Sequence, residues 1–307
     1  MIGIISAQTA IDAFRGVTPL SRIYVCMSLA RDWASNARSL EKAYVLACFS
    51  ELAYLHLSDN ELPGRDRYKI FPSFLLRELV QNPPSLDLDV VTSTVGDFRA
   101  AAFNSRNFVY VVFTTSQFVV IAVRGTVSLR DWGINLNALR SRGKRRGYHL
   151  GFLREAESAV GPLTERIEPG KRVYFTGHSL GGAVASILPY VFPKRYIRMT
   201  PYVFAAPRFA NTVLATREAP YAYVRAEDIV PHLPPKFLGF GNTGFPPELI
   251  PPNDHWLSGI KALRGCLRRG NSITISHSME NYRHLLGKQI GEDFPPTVYL
   301  DALKNQL

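Results

Sequence analysis

This chain of 307 residues has few cysteines and no long apolar run. Its three cysteines, Cys26, Cys48 and Cys266, lie far apart, show no metal-ligand spacing and cannot all pair with one another. The most apolar region, Phe108 to Val123, is interrupted by Thr114-Thr115-Ser116-Gln117 and falls short of the roughly 20 apolar residues that a membrane-spanning helix needs. We therefore expect reduced structural thiols and a soluble protein, and we expect neither a disulfide framework nor a transmembrane segment.

The N-terminus also lacks a recognisable targeting signal. Its first residues, MIGIISAQTAIDAFR, contain a short apolar run with no basic residue before it and Asp12 soon after it. The sequence therefore indicates no cellular compartment.

Acidic residues are outnumbered by basic ones, 25 against 36, which gives a formal charge of +11. This excess predicts attraction to anionic surfaces, but charge alone identifies no partner.

The composition is that of a globular protein, with 46% hydrophobic and 20% charged residues. We interpret residues 1–32 as an N-terminal extension and residues 33–307 as a single domain. Between Ser39 and Leu57, apolar residues recur at helical spacing, which predicts an amphipathic helix packed on a core. A shorter helix is predicted from Pro72 to Val80, and it ends at the prolines that follow because proline lacks the amide donor.

Strand patterns dominate the middle of the chain. Leu86 to Val95, Phe108 to Phe113 and Phe118 to Val123 are rich in valine and aromatic residues, and the last two are predicted to form a hairpin. Further on, short apolar runs are separated by helix-length segments, at Val173 to Phe175, Pro201 to Ala205 and Tyr221 to Val224. This alternation predicts the α/β class, with a mixed, mostly parallel sheet flanked by helices. The proline-rich segment from Pro231 to Pro252 is interpreted as a long ordered loop.

A serine lies between glycines in Gly177-His178-Ser179-Leu180-Gly181, directly after the apolar run that ends at Phe175. Small residues at these positions suit a tight turn from a strand into a helix, here predicted from Leu180 to Tyr190. A serine hydroxyl is a weak nucleophile at neutral pH, so catalysis would require a histidine base and an acid that orients it. In α/β hydrolases these residues follow in the order serine, acid, histidine.

Asp228 is the candidate acid because it follows the predicted strand Tyr221 to Val224, and catalytic residues of α/β sheets collect at strand ends. The alternative is that Asp228 only caps a turn. Three later histidines compete for the role of base: His255, His277 and His284. His284 lies within an apparent helix, Ser278 to Leu286, and cannot share the position of His277. Spacing alone leaves His255 and His277 unresolved.

Several short motifs occur in an order that resembles the class 3 (fungal-type) lipase family, which has the α/β-hydrolase fold. They are Arg124-Gly125-Thr126, Asp131-Trp132, His149-Leu150-Gly151-Phe152, Gly177-His178-Ser179-Leu180-Gly181-Gly182, Ala206-Pro207-Arg208, Asp228-Ile229-Val230-Pro231 and His277-Ser278-Met279-Glu280-Asn281-Tyr282. The resemblance covers roughly Ala43 to Leu286. It implies a catalytic triad of Ser179, Asp228 and His277.

Three positions depart from the family's usual residues. Val123 stands where phenylalanine is usual, and Ala205 and Ala210 stand where glycine is usual. We interpret all three as packing changes near the site, which affect the shape of the pocket more than catalysis.

The resemblance implies a serine carboxylic-ester hydrolase of the triacylglycerol lipase type, which forms an acyl-enzyme and needs no metal or cofactor. The backbone amide of Leu180 is expected to donate to the oxyanion, since it follows the nucleophile. By resemblance, Thr126 supplies the second donor, and the alternative is that Arg124-Gly125-Thr126 is only a strand-ending turn. Alternative functions are a phospholipase A1, an esterase for soluble esters, and a non-catalytic basic lipid-binding protein.

The segment after Thr126, Val127 to Leu139, is interpreted either as a mobile lid over the pocket or as a permanently docked crossover helix. Five cations follow it within seven residues: Arg140, Arg142, Lys144, Arg145 and Arg146. Such a run is either a solvated loop or a contact for an anionic lipid surface. Nucleic-acid binding is not expected because no aromatic residues are interleaved with the cations.

Overall fold

A computed structural model of the chain describes residues 33–53, 99–105, 108–125, 147–217, 219–225, 228–241 and 277–290. Several predicted features lie outside these described residues and stay predictions. They are the extension over residues 1–32, the helix from Pro72 to Val80, the strand from Leu86 to Val95, Thr126, the segment Val127 to Leu139, the cationic run from Arg140 to Arg146, and His255.

The described residues form a mixed sheet of seven strands. The strands are β1 (Arg99–Ser105), β2 (Phe108–Thr114), β3 (Phe118–Arg124), β4 (Arg172–His178), β5 (Ile197–Arg198), β6 (Tyr202–Phe204) and β7 (Tyr221–Tyr223). Their order is β1-β2-β3-β4-β6-β7, and β5 pairs with β4 beside this path. The first three strands are antiparallel neighbours, and every later pairing is parallel. The predicted α/β class and the β2–β3 hairpin are both confirmed.

Helices connect and cover the strands. They are α1 (Leu40–Leu52), α2 (Leu150–Glu165), α3 (Leu180–Val191), α4 (Thr212–Arg217) and α5 (Met279–Ile290), with 3-10 turns at Val230–His232 and Lys236–Leu238. The side chain of Ser39 caps α1 by accepting from the amide of Lys42 at 3.1 Å. The predicted loop from Pro231 to Pro252 begins with the two 3-10 turns, and its residues 242–252 lie outside the described residues.

The sheet is covered on both faces, as its unbroken apolar strands require. Along β3, Val119, Ile121 and Val123 belong to the core formed with α2 and α3. The alternate residues, Val120 and Ala122, belong to the core formed with α1 and α5. Because successive side chains of a strand point to opposite faces, this single strand contributes to both cores and sets up three layers.

Helix α1 is buried around its whole circumference, so the prediction of an amphipathic helix is wrong in this respect. Every residue from Ala43 to Phe49 is at most 4% exposed, and Ser50 and Glu51 are fully buried. Both polar side chains have partners: the Ser50 hydroxyl lies 2.7 Å from that of Thr176 on β4, and Glu51 pairs with Arg283 of α5 at 2.6 Å. The helix lies between the sheet and α5, so its residues from Lys42 to Glu51 have no face left for solvent.

Candidate active site

Ser179 forms the turn between β4 and α3 with a backbone that L-residues rarely adopt, at φ 57° and ψ −133°. Such backbone strain costs about 1–3 kcal/mol and concentrates at functional sites. The flanking glycines permit the close packing of this turn. A Cβ on Gly177 would lie 2.6 Å from the carbonyl carbon and oxygen of Gly181. The predicted strand, turn and helix are therefore present, and the reason for the glycines is steric.

The structure brings Ser179, His277 and Asp228 together from three separate segments. The Nε2 atom of His277 lies 2.8 Å from the Ser179 hydroxyl, and its Nδ1 atom lies 2.8 Å from Oδ2 of Asp228. All three side chains are buried, with Asp228 fully so. An imidazole between a hydroxyl and a carboxylate can accept the hydroxyl proton while the carboxylate fixes its tautomer. His284 lies within α5, about two turns after His277, as predicted.

Three donors hold the Asp228 carboxylate. Oδ1 accepts the backbone N–H of Val230 at 3.0 Å, and Oδ2 accepts from both His277 and the Tyr282 hydroxyl, each at 2.8 Å. The bond to Val230 is the turn-capping contact that was considered as an alternative role for Asp228. The other oxygen meets the histidine at the same time, so the carboxylate makes both contacts.

Tyr282 was not recognised as a site residue from the sequence. Its hydroxyl donates to Asp228 and accepts the backbone N–H of Arg225 at 3.0 Å. Burial, followed by the negative charge of Asp228, raises the pKa of Tyr282 well above its usual value, so the hydroxyl stays protonated and can donate. The sequence carried one signal for this role, because Tyr282 belongs to the motif that begins at His277. In the structure Tyr282 lies one turn into α5.

His178 was also missed, although it lies in the same motif as the serine. Its Nε2 lies 2.7 Å from the backbone carbonyl oxygen of His277. A carbonyl only accepts, so Nε2 carries the proton. Burial, followed by the proximity of His277, lowers the pKa of His178 well below 6.5 and keeps the ring neutral. The contact ties the backbone of His277 to the residue just before Ser179.

The expected oxyanion side of the site is described up to Gly125. A Cβ on Gly125 would lie 3.3 Å from the backbone nitrogens of both Leu180 and Gly181, so the chain leaving β3 lies against the start of α3. Leu180 is the first residue of α3, and amides of the first helical turn have no intrahelical acceptor. Thr126 follows Gly125 directly and lies outside the described residues, so its role stays a prediction.

The interpretation of Ala205 as a packing change alone is incomplete. Ala205 follows β6 and has a φ of 51°, in the left-handed region that favours glycine. Glycine adopts this backbone conformation without the steric cost that the Cβ of alanine brings. Val123 and Ala210 are fully buried, in keeping with a packing role.

Two further properties concern only the residues that the structure describes. Within them, no helix is long and apolar enough to cross a membrane. The same residues contain no group of three or more histidine, cysteine, aspartate or glutamate side chains that could hold a metal ion.

Known proteins similar to this chain are lipases. The family described as lipase (class 3) matches residues 120–238. A secreted mono- and diacylglycerol lipase 1 from Fusarium solani is 31% identical over 159 residues, which are 46% of this chain and 44% of that protein. A lipase from Rhizomucor miehei is 31% identical over 148 residues, 41% of this chain and 40% of that protein. The chain thus matches less than half the length of these two relatives.

The fold comparison agrees with the sequence comparison. The crystal structure of a lipase from Rhizopus microsporus var. chinensis superposes with a TM-score of 0.51 at 21% identity, over 71% of this chain and 78% of that one. At this identity the likeness concerns the fold alone. Residues 120–238 match the class 3 lipase family, and the arrangement of the sheet and helices is the α/β-hydrolase fold.

Proposed function

We propose that the protein is a serine carboxylic-ester hydrolase that acts on acylglycerols. The observation that carries the proposal is the pair of 2.8 Å contacts that His277 makes, to Ser179 on one side and to Asp228 on the other. The strained backbone of Ser179 supports it, since such strain is kept where function requires it. The similarity to proteins named lipases and to a mono- and diacylglycerol lipase supports the ester substrate.

In this proposal Ser179 is the nucleophile. Its hydroxyl attacks the ester carbonyl while Nε2 of His277 takes the proton, and Asp228 holds the imidazole in the tautomer with a proton on Nδ1. The oxyanion forms beside the start of α3, where the Leu180 amide and Thr126 would donate to it. His277 then returns the proton to the leaving alcohol, and water repeats the cycle on the acyl-enzyme to release the acid. No metal or cofactor enters these steps.

The test of the mechanism uses purified parent and Ser179→Ala with a soluble short-chain ester. We expect loss of about three or more orders of magnitude in kcat and loss of labelling by a serine-directed phosphonate. Ser186→Ala is the matched control, because Ser186 is a buried serine of α3 whose hydroxyl donates to the carbonyl of Gly182 at 2.8 Å. Equal turnover by parent and Ser179→Ala would contradict the proposal.

The base is tested separately, because His255 lies outside the described residues. His277→Ala is expected to abolish turnover as Ser179→Ala does, whereas His255→Ala is expected to keep it. The reverse ranking in steady-state kinetics would assign the base to His255. Comparing triglyceride, diglyceride and phospholipid emulsions then separates a lipase from a phospholipase A1.

We also propose that the cationic run from Arg140 to Arg146 attracts the protein to anionic lipid. Each basic residue near such a surface contributes about 1 kcal/mol at moderate salt, and the attraction fades over roughly 10 Å at 0.1 M ionic strength. Hydrolysis on vesicles is therefore expected to rise with anionic lipid content and to fall with added salt. Replacing Arg142, Lys144, Arg145 and Arg146 with glutamine should remove both dependences, and unchanged dependences would contradict this role.

A further inference from the structure

The 3-10 turn Lys236–Leu238 presents apolar side chains to solvent. Phe237 is 86% exposed, and its neighbour Leu238 is 41% exposed. Single exposed leucines are ordinary, but a phenylalanine this exposed beside a second large apolar residue is not. Within the described residues, the other exposed large apolar side chains, Ile197 and Val213, lie on different elements.

The backbone that carries these side chains is held firmly at its start. The backbone N–H of Arg208 donates to the carbonyl of Leu233 at 2.6 Å, and its guanidinium donates to the carbonyls of His232 and Pro234. Arg208 therefore fixes the three residues that lead into the turn. Phe237 is thus presented by ordered backbone.

The turn is also closed and anchored at its end. The amide of Leu238 donates to the carbonyl of Pro235 at 3.0 Å, and that of Gly239 donates to Lys236 at 2.8 Å. The amide of Gly241 then donates to the carbonyl of Ala210 at 2.9 Å. A rigid apolar projection loses little conformational entropy when it binds, which favours a binding role.

The turn lies on the edge of the sheet where the candidate site lies. Ser179 follows the carboxyl end of β4, and Asp228 follows that of β7 and leads through one 3-10 turn into Lys236–Leu238. The anchors Arg208 and Ala210 follow the carboxyl end of β6. Ile197 marks the opposite edge, because it pairs with the first residue of β4.

A lipid surface suits this turn better than a protein does. Two side chains offer at most a few hundred square ångström, whereas a stable protein interface buries about 1,200–2,000 Å². A bilayer accepts a small apolar projection, and it favours a cation beside that projection at the level of anionic headgroups. Exposed Lys236 supplies the adjacent cation, and the chain carries a formal charge of +11.

We propose that Lys236–Leu238 is a membrane anchor, in which Phe237 and Leu238 enter the acyl region of an anionic phospholipid surface and Lys236 contacts the headgroups. The anchor would hold the carboxyl edge of the sheet, and with it Ser179, against the lipid. The choice of lipid as the occupant rests on the proposed esterase function, but binding requires no turnover. An apolar anchor also differs from a cationic run in that added salt does not weaken it.

The experiment measures co-sedimentation of the full chain, carrying Ser179→Ala, with vesicles of phosphatidylcholine and phosphatidylglycerol in equal parts. The anchor variant adds Phe237→Ser and Leu238→Ser. The matched control adds Ile197→Ser, which removes an exposed apolar side chain from the opposite edge. In high salt the anchor variant should partition about tenfold or more weakly than the parent, with the control unchanged. Lys236→Gln should reduce the preference for the anionic lipid.

Equal partition of parent and anchor variant would overturn the proposal, and so would an equal loss in the control. A change of oligomeric state in the anchor variant by light scattering, with unchanged vesicle binding, would assign the turn to self-association and also overturn it. The same substitutions in the chain with Ser179 intact should leave hydrolysis of a soluble ester unchanged. If the parent hydrolyses no ester but binds vesicles through Phe237, the proposed function fails and the anchor stands.

Discussion

The burial of His149 is expected to make the folded protein less stable in acid. It precedes α2, is 5% exposed, and its ring lies 4.4 Å from that of Phe152 and 5.7 Å from that of Phe240. Within the described residues, neither of its ring nitrogens has a hydrogen-bond partner. Burial without a partner disfavours the charged ring and lowers the pKa of His149 from 6.5 to about 4.

The lowered pKa of His149 determines how the free energy of unfolding changes with pH. Between pH 4 and pH 6.5 the unfolded chain binds a proton at His149 that the folded chain does not bind. The stabilisation is therefore fully present above pH 6.5 and is lost as the pH falls toward the folded pKa. One pKa unit corresponds to about 1.4 kcal/mol, so the free energy of unfolding should fall by about 3 kcal/mol across this range from His149 alone.

The measurement compares urea unfolding of the parent and of His149→Phe, from about pH 7 to about pH 4. Phenylalanine keeps an aromatic ring among Phe152 and Phe240 and does not titrate. Other groups also titrate in this range, including His178, but they are common to both proteins and cancel in the difference. The parent should lose about 3 kcal/mol more than the variant on acidification. Parallel pH profiles for the two proteins would refute the reasoning.

Three further predictions each concern a single residue. Tyr282→Phe keeps the ring but removes a hydrogen-bond donor from Asp228. It should lower kcat about tenfold with little change in KM, because a hydrogen bond to a charged group contributes about 1.5–3 kcal/mol. An unchanged kcat would contradict this role. Arg283→Met leaves Glu51 buried without its cation and should cost about 3–5 kcal/mol in urea unfolding, and adding Glu51→Leu should recover most of the loss. A double variant no more stable than Arg283→Met would contradict that account. Ala205→Gly relieves the strain of the positive φ and should raise the melting temperature. The free energy of unfolding should rise by up to about 1 kcal/mol, once the greater freedom of glycine in the unfolded chain is subtracted. A lower melting temperature would show that the lost methyl group matters more.

Strands were predictable from the sequence where they are rich in β-branched residues. The runs in β2 and β3 predicted the element type and nearly the whole strand, whereas the run Val173 to Phe175 predicted the type and three of the seven residues of β4. β1 was missed because its sequence, RAAAFNS, has little preference for strand and is held by pairing with β2. β5 was missed because two residues carry no periodic pattern. The burial of α1 depends on α5 covering it, which local spacing does not reveal.

The residues of the candidate site were predictable from the sequence to different extents. The turn at Ser179 could be recognised locally, because its glycines are needed by contacts within one short segment. His277 could be preferred to His255 only through family resemblance, because the contact with Asp228 joins residues 49 apart in sequence. Tyr282 and His178 act through hydrogen bonds that exist only after α5 docks. No spacing rule identifies them in a single sequence.

The histidine of the site lies just before α5, and within the described residues this helix contacts the rest of the protein largely through α1 and Asp228. Arg283 reaches Glu51, Tyr282 reaches Asp228, and His178 holds the carbonyl of His277. Undocking of this one helix would leave the sheet and the strained turn at Ser179 in place while removing the base. Local opening requires less free energy than global unfolding, so enzymatic inactivation on heating should precede the loss of secondary structure. The rate of hydrolysis would then report whether this one helix is docked. Ligands that contact both Ser179 and His277 would stabilise the docked helix.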